Sequence, residues 1–113
     1  MTRDNSTIQR SVIESCKKGN RISQYALYNQ YSKAMYNLAY RMMNNREDAE
    51  DMIQESFSVA FRKLKSFRYE STFGAWLKTI VINRCINEIR RRKKLLFTDE
   101  LRDLPDNDDR LPP

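Results

Sequence analysis

From Ala49 to Leu64 the apolar residues Ala49, Met52, Ile53, Phe57, Ala60, Phe61 and Leu64 recur at intervals of three and four without a miss. That spacing places them on one face of an α-helix and fits no strand period. Asn45 stands where an N-cap belongs, able to accept from the amide of Glu47 or Asp48, and Glu47, Asp48 and Glu50 complement the helix dipole in the first turn. Only two Gly and three Pro occur in 113 residues, too little turn chemistry for a multi-stranded β fold. The predicted architecture is all-α, a compact bundle of three main helices plus a short N-terminal one.

The short helix covers about Thr7 to Lys18, with Ile8, Val12, Ile13 and Cys16 on one side and a stop at Gly19-Asn20, and is expected to dock weakly. A long amphipathic helix follows from about Ser23 to Met43, burying Leu27, Tyr28, Tyr31, Met35, Leu38, Ala39 and Met42. After the polar connection Ser66 to Ser71, Thr72 can cap a last helix to about Lys94, with Phe73, Trp76, Leu77, Ile80, Cys85, Ile86 and Ile89 inward. The segment Thr98 to Pro113 is acidic and ends in Pro, which reads as a linker or tail. The chain therefore divides into one helical domain, residues 1–94, and a tail, 95–113.

Several function classes drop out. Without a single His, there is no Ser-His-Asp or Cys-His catalytic group and no histidine-ligated metal. Cys16 and Cys85 are far apart in sequence and form no CxxC, so they read as structural thiols in a reducing compartment. No metal, cofactor or enzymatic activity is expected: there is no Gly-rich phosphate loop and no nucleophile beside a base. No stretch approaches the roughly 20 apolar residues of a membrane span, and the N-terminus lacks a signal-peptide core. Membrane insertion is not expected, and the predicted location is cytoplasmic.

Charge is segregated. Arg46 to Glu55 holds one base and five acids, net −4, whereas Arg84 to Lys94 holds six bases and one acid, net +5. Two poles of opposite sign suit two partners, or pairing within the molecule. On the last helix Asn83, Asn87, Arg90, Arg91 and Lys94 share one side; Asn can pair with an adenine edge and Arg can grip guanine or phosphate. The alternative is that Arg90 to Lys94 only complements the helix dipole. Phe67 and Tyr69 flank Arg68 at the mouth of that helix, where they could hold an unstacked base and its phosphate. Alternatively Phe67 and Phe73 tuck beneath the loop as core residues. The acidic face of the preceding helix, Asp48, Asp51, Gln54 and Glu55, would be repelled by phosphates and suits a basic protein surface, or is simply solvated.

Taken in order, Asp48-Ala49-Glu50-Asp51-Met52-Ile53-Gln54-Glu55-Ser56-Phe57, then Phe67-Arg68 and Ser71-Thr72-Phe73-Gly74-Ala75-Trp76-Leu77, then Asn83, Asn87 and the run Arg90 to Lys94 resemble region 2 of bacterial RNA polymerase sigma factors of the extracytoplasmic-function (ECF) class. The resemblance covers about Ser23 to Lys94. It implies a non-enzymatic promoter-recognition and melting domain. Asp48, Asp51, Gln54 and Glu55 would dock on the β′ clamp helices of core RNA polymerase. Phe67, Arg68, Tyr69, Ser71, Thr72 and Phe73 would capture a flipped non-template base of the −10 element, and Asn83, Arg84, Asn87, Arg90 and Arg91 would read its upstream edge. Arg62, Lys63, Arg91 and Lys94 would add phosphate contacts. An anti-sigma protein could cover the same faces. The second helical domain that reads the −35 element in this family has no counterpart in the sequence, and Leu95 to Pro113 resembles the start of the connecting linker. The competing expectation is a helical protein-interaction module with no DNA role.

Overall fold

The computed structural model describes residues 5–103, with side chains for residues 9–102. Four α-helices occur among them: α1 (Asn5–Lys17), α2 (Arg21–Met43), α3 (Arg46–Lys63) and α4 (Phe73–Asp103), with a single 3-10 turn over Leu64–Ser66. The all-α architecture is as expected. None of these helices is long and apolar enough to cross a membrane.

Each boundary has a local cause. Gly19 takes φ 87°, a left-handed conformation open to glycine at no steric cost, and turns the chain out of α1. Asn20 then caps α2 by accepting from the Ser23 amide at 2.9 Å. Asn44, at φ 55°, closes α2 and donates its amide to the Tyr40 carbonyl at 2.7 Å. Asn45 starts α3 by accepting from the Asp48 amide at 2.9 Å, one of the two acceptances its position allows. The Thr72 hydroxyl accepts from the Ala75 amide at 3.1 Å and starts α4.

The core lies where α2, α3 and α4 meet. Leu27, Ala39, Ala49, Ala60, Leu77, Val81 and Cys85 have no exposed surface. Full burial of a Leu or Val stabilises by about 1.5–3 kcal/mol, so such a cluster can carry the fold. Val81 belongs to it although the expected inward stripe of α4 omitted it. Cys16 and Cys85 are free, buried thiols, and burial pushes both pKa values up.

Two expectations are corrected. α1 does not dock weakly: Ile13 and Cys16 are buried in the common core, and Lys17 Nζ reaches across to donate to the Phe67 carbonyl at 2.9 Å. α4 does not stop near Lys94 but continues to Asp103, so Thr98 to Asp103 is helix and not tail. The reason is local: residues 95–103 contain neither Gly nor Pro, the Thr98 hydroxyl donates back to the Lys94 carbonyl at 2.9 Å, and Arg102 lies 3.7 Å from Asp99. This extension leaves the core, and Leu95, Leu96, Phe97 and Leu101 are exposed along it. That is why apolar periodicity stopped marking it as helix. Residues 104–113 of the expected tail, and Ile8 of the expected inward side of α1, lie outside the described side chains.

Candidate nucleic-acid and protein interfaces

The connection from α3 to α4 is built on an aromatic floor. Phe67 is 3% and Phe73 1% exposed. Phe67 meets Phe73 edge-on with centroids 5.8 Å apart, and both pack on Trp76 at 5.2 and 5.6 Å, with Tyr31 5.2 Å from Phe73. These rings are therefore occupied by one another, which favours, of the two readings of Phe67 and Phe73, the one in which they tuck beneath the loop as core residues. Phe67 and Phe73, with Ile13, form the base of a cavity of about 440 Å³ whose rim carries Glu70, Ser71 and Thr72 from the loop and Gln9 and Arg10 from α1. Arg68 is exposed and does not line it.

Tyr69 stands in the wall of this cavity at φ 62°, a left-handed conformation that costs a bulky residue on the order of 1–3 kcal/mol. Contacts from α1 hold it there. Its hydroxyl donates to Glu14 Oε2 at 2.5 Å, the Arg10 guanidinium lies 4.0 Å from its ring centroid, and Lys17 Nζ lies 5.0 Å away. Burial, followed by the bond to Glu14, pushes the Tyr69 pKa up to about 12. Glu14 is held below the usual carboxylate range, first by the Tyr69 hydroxyl and then by Lys17 at 3.2 Å. Gln9 donates its side-chain amide to the Tyr31 hydroxyl, tying the same helix to α2. None of Gln9, Arg10 and Glu14 was singled out in the sequence, and only the apolar side Ile8, Val12, Ile13 and Cys16 signalled which way α1 faces.

Along α4 the residues Asn83, Asn87, Arg90, Arg91 and Lys94 are all exposed, as their shared face requires. The bases are not equally free. Arg91 grips Glu88 through two bonds of 3.0 and 2.6 Å, and Arg84 is half-buried with Nη2 2.6 Å from Glu55. Arg92 bonds both Asp48 oxygens at 2.7 and 3.0 Å and Glu88 at 2.7 Å. Arg91, then Arg92, depress the Glu88 pKa to about 2, and Arg92 lowers that of Asp48. The carboxylate form of Glu88 is thus favoured in the folded state. Its contribution to stability is complete above its ordinary pKa of 4.5 and is lost as pH falls from there through about 2. A Glu88→Gln variant is expected to show a shallower loss of melting temperature across that window than the parent chain, measured by thermal unfolding at stepped pH.

The two poles therefore pair in part with each other. Asp48 and Glu55 of α3 are engaged by Arg92 and Arg84, whereas Asp51 and Gln54 remain exposed, and Asp51 has no ion pair among the described residues. Arg62 and Lys63 are exposed at the end of α3, with Arg62 3.2 Å from the Ser58 hydroxyl. Between α2 and α3 a shallow groove of about 380 Å³ runs past Tyr28, Lys33 and Tyr36 to Glu50 and Gln54. The α2 side of this acidic face, Lys33 included, was not anticipated.

Residues 27–95 match the family model described as Sigma-70 region 2. The chain is 34% identical over 87 residues to the ECF RNA polymerase sigma factor SigW of Bacillus subtilis, an alignment covering 77% of this chain and 46% of that protein. It is 36% identical over 86 residues to the ECF RNA polymerase sigma factor SigE of Mycolicibacterium smegmatis, covering 76% of this chain and 32% of that protein. The chain thus spans less than half the length of these relatives. Its fold is similar to the solved NMR structure of an engineered region 2 of sigmaE in complex with GTAAAA, with a TM-score of 0.72 and 27% identity over 78% of this chain and 92% of that one.

Proposed function

The chain belongs to the Sigma-70 region 2 family, with ECF sigma factors among its relatives, and from that premise we propose that it is the promoter-recognition and melting domain of a non-catalytic polymerase specificity subunit. The observation that carries this reading is the cavity between α1 and the loop before α4, with an aromatic floor and a polar rim, next to a helix with an exposed row of Asn and Arg. Such a cavity suits one unstacked base of the −10 element, and its apolar floor with polar rim suits a base face and a base edge. Asn83 and Asn87 would read base edges upstream of it. Arg62, Lys63, Arg90 and Lys94 would meet phosphates, giving salt-dependent binding. Ser71 and Thr72 supply hydroxyls at the rim, while Phe67 and Phe73 act from below as its floor.

On the acidic side, Asp51 and Gln54 would meet the β′ clamp helices of core RNA polymerase. Asp48 and Glu55 act chiefly by fixing α3 against α4. An anti-sigma protein would compete for these faces, and the place of action is the bacterial cytoplasm, beside DNA and polymerase. Neutralising Asp51 with Asn and truncating Gln54 to Ala is expected to weaken binding to isolated clamp helices by about tenfold while leaving DNA binding unchanged. Equal affinity for the clamp helices before and after removes that assignment.

The DNA half is tested by fluorescence anisotropy with labelled single strands: GTAAAA and its single-base variants at every position, at low and moderate salt. The expected result is a spread of affinities across the panel that persists as salt rises. Binding that is salt-sensitive yet equal for every strand would reduce α4 to an electrostatic anchor and leave polymerase docking as the function.

A further inference from the structure

The match to the family model begins at residue 27, so α1 lies outside it, yet one side of the cavity is made by α1. Resting on the base-capture reading, we propose that α1 is part of the single-strand site, with Arg10 a binding residue for the captured nucleotide and Glu14 a positioning residue acting through Tyr69.

The argument for Arg10 is geometric. Arg10 lines the cavity, its guanidinium lies 4.0 Å from the centroid of the Tyr69 ring in the cavity wall, and it is exposed and in no ion pair among the described residues. Contact with an aromatic ring orients the flat cation without consuming its in-plane N–H donors. Those donors stay available at the rim, where a strand whose base enters the cavity must bring a phosphate or a polar base edge. Lys could supply charge there but not the planar fork.

The argument for Glu14 is different, because its carboxylate is already taken. It accepts from the Tyr69 hydroxyl at 2.5 Å and lies 3.2 Å from Lys17, which itself donates to the Phe67 carbonyl at 2.9 Å. Tyr69 sits in a conformation that a bulky residue holds only when its surroundings enforce it. Glu14 and Lys17 together pin both ends of the segment Phe67 to Tyr69. The cavity wall therefore keeps its shape because α1 is docked.

The test uses the full chain and the same strand panel. Arg10→Ala is expected to weaken the best-bound strand about tenfold and the worst-bound strand at most about twofold, and Arg10→Lys should restore little of the difference. Glu14→Ala should narrow the spread across the panel, and Glu14→Gln, which keeps an acceptor for the Tyr69 hydroxyl, should restore it. Circular dichroism at the assay temperature confirms that each variant is folded; Arg10 and Glu14 are both exposed, so the helices should persist. If the parent chain discriminates among strands and the Arg10 and Glu14 variants discriminate equally well, the role of α1 is overturned while base capture stands. A uniform drop across the panel for Arg10→Ala also overturns it, since that is the effect of a nonspecific charge. If the parent chain itself shows no discrimination, base capture fails and the role of α1 fails with it.

Discussion

Replacement of Phe73 by Ala is expected to lower the unfolding free energy by about 3–5 kcal/mol, the cost of emptying a fully buried aromatic site. Phe73 is 1% exposed and touches Tyr31, Phe67 and Trp76, so its removal leaves a cavity bordered by three other rings. A small domain has only about 5–15 kcal/mol to lose, so the variant should be marginal at physiological temperature. Urea unfolding followed by circular dichroism measures this directly. Were Phe73 a stacking ring lent to DNA and only loosely packed in the free chain, the loss would stay within about 1 kcal/mol. The distinction bears on mechanism. A floor residue shapes the cavity and reaches a nucleotide only from below, and its replacement damages fold and binding together.

Asn83 and Asn87 are expected to behave in the opposite way. Both are exposed in the interior of α4, where Asn is a poorer helix former than Ala, so either Ala variant should hold or gain stability, by about half a kcal/mol. Discrimination between bases should nevertheless fall by about 1–3 kcal/mol for each side chain that pairs bidentately with a base edge. The check is the strand panel extended to duplexes with an opened −10 segment, measured beside thermal melts of the same variants. A stabilised variant that binds less selectively identifies side chains kept for recognition. A uniform loss across all sequences would make them groups that only position the strand.

The contrast between these residues shows what could be read from the sequence. Asn83 and Asn87 were legible because helical spacing alone puts them on one exposed face, and the structure keeps them there. The caps at Asn45 and Thr72 were legible for the same reason, each acting within three residues of itself. Phe67 and Phe73 were ambiguous because an aromatic beside a helix mouth can face a ligand or the core. Only the packing of Trp76 and Tyr31 around them resolves it. Interactions across long stretches of chain left no local mark. Tyr69 finds Glu14 across 55 positions, so the α1 wall could not be anticipated; pairing between the two poles was legible from their charges as one of two readings, but not that Asp48 would find Arg92 across 44 positions. The C-terminal part of α4 was missed because a helix without a core beside it has no reason to keep an apolar stripe.

The central claim is that one base leaves the strand and enters the cavity between α1 and the loop. The most direct measurement is an NMR titration of the isotopically labelled chain with the best-bound single strand of the panel and with a permuted strand of the same composition. The account predicts that the best-bound strand alone shifts the amides of the loop from Phe67 to Phe73 and the side-chain amides of Gln9, Asn83 and Asn87. Both strands should shift the exposed basic residues of α4. A common pattern for the two strands, confined to Arg90, Lys94 and their neighbours with the cavity signals unmoved, would contradict it.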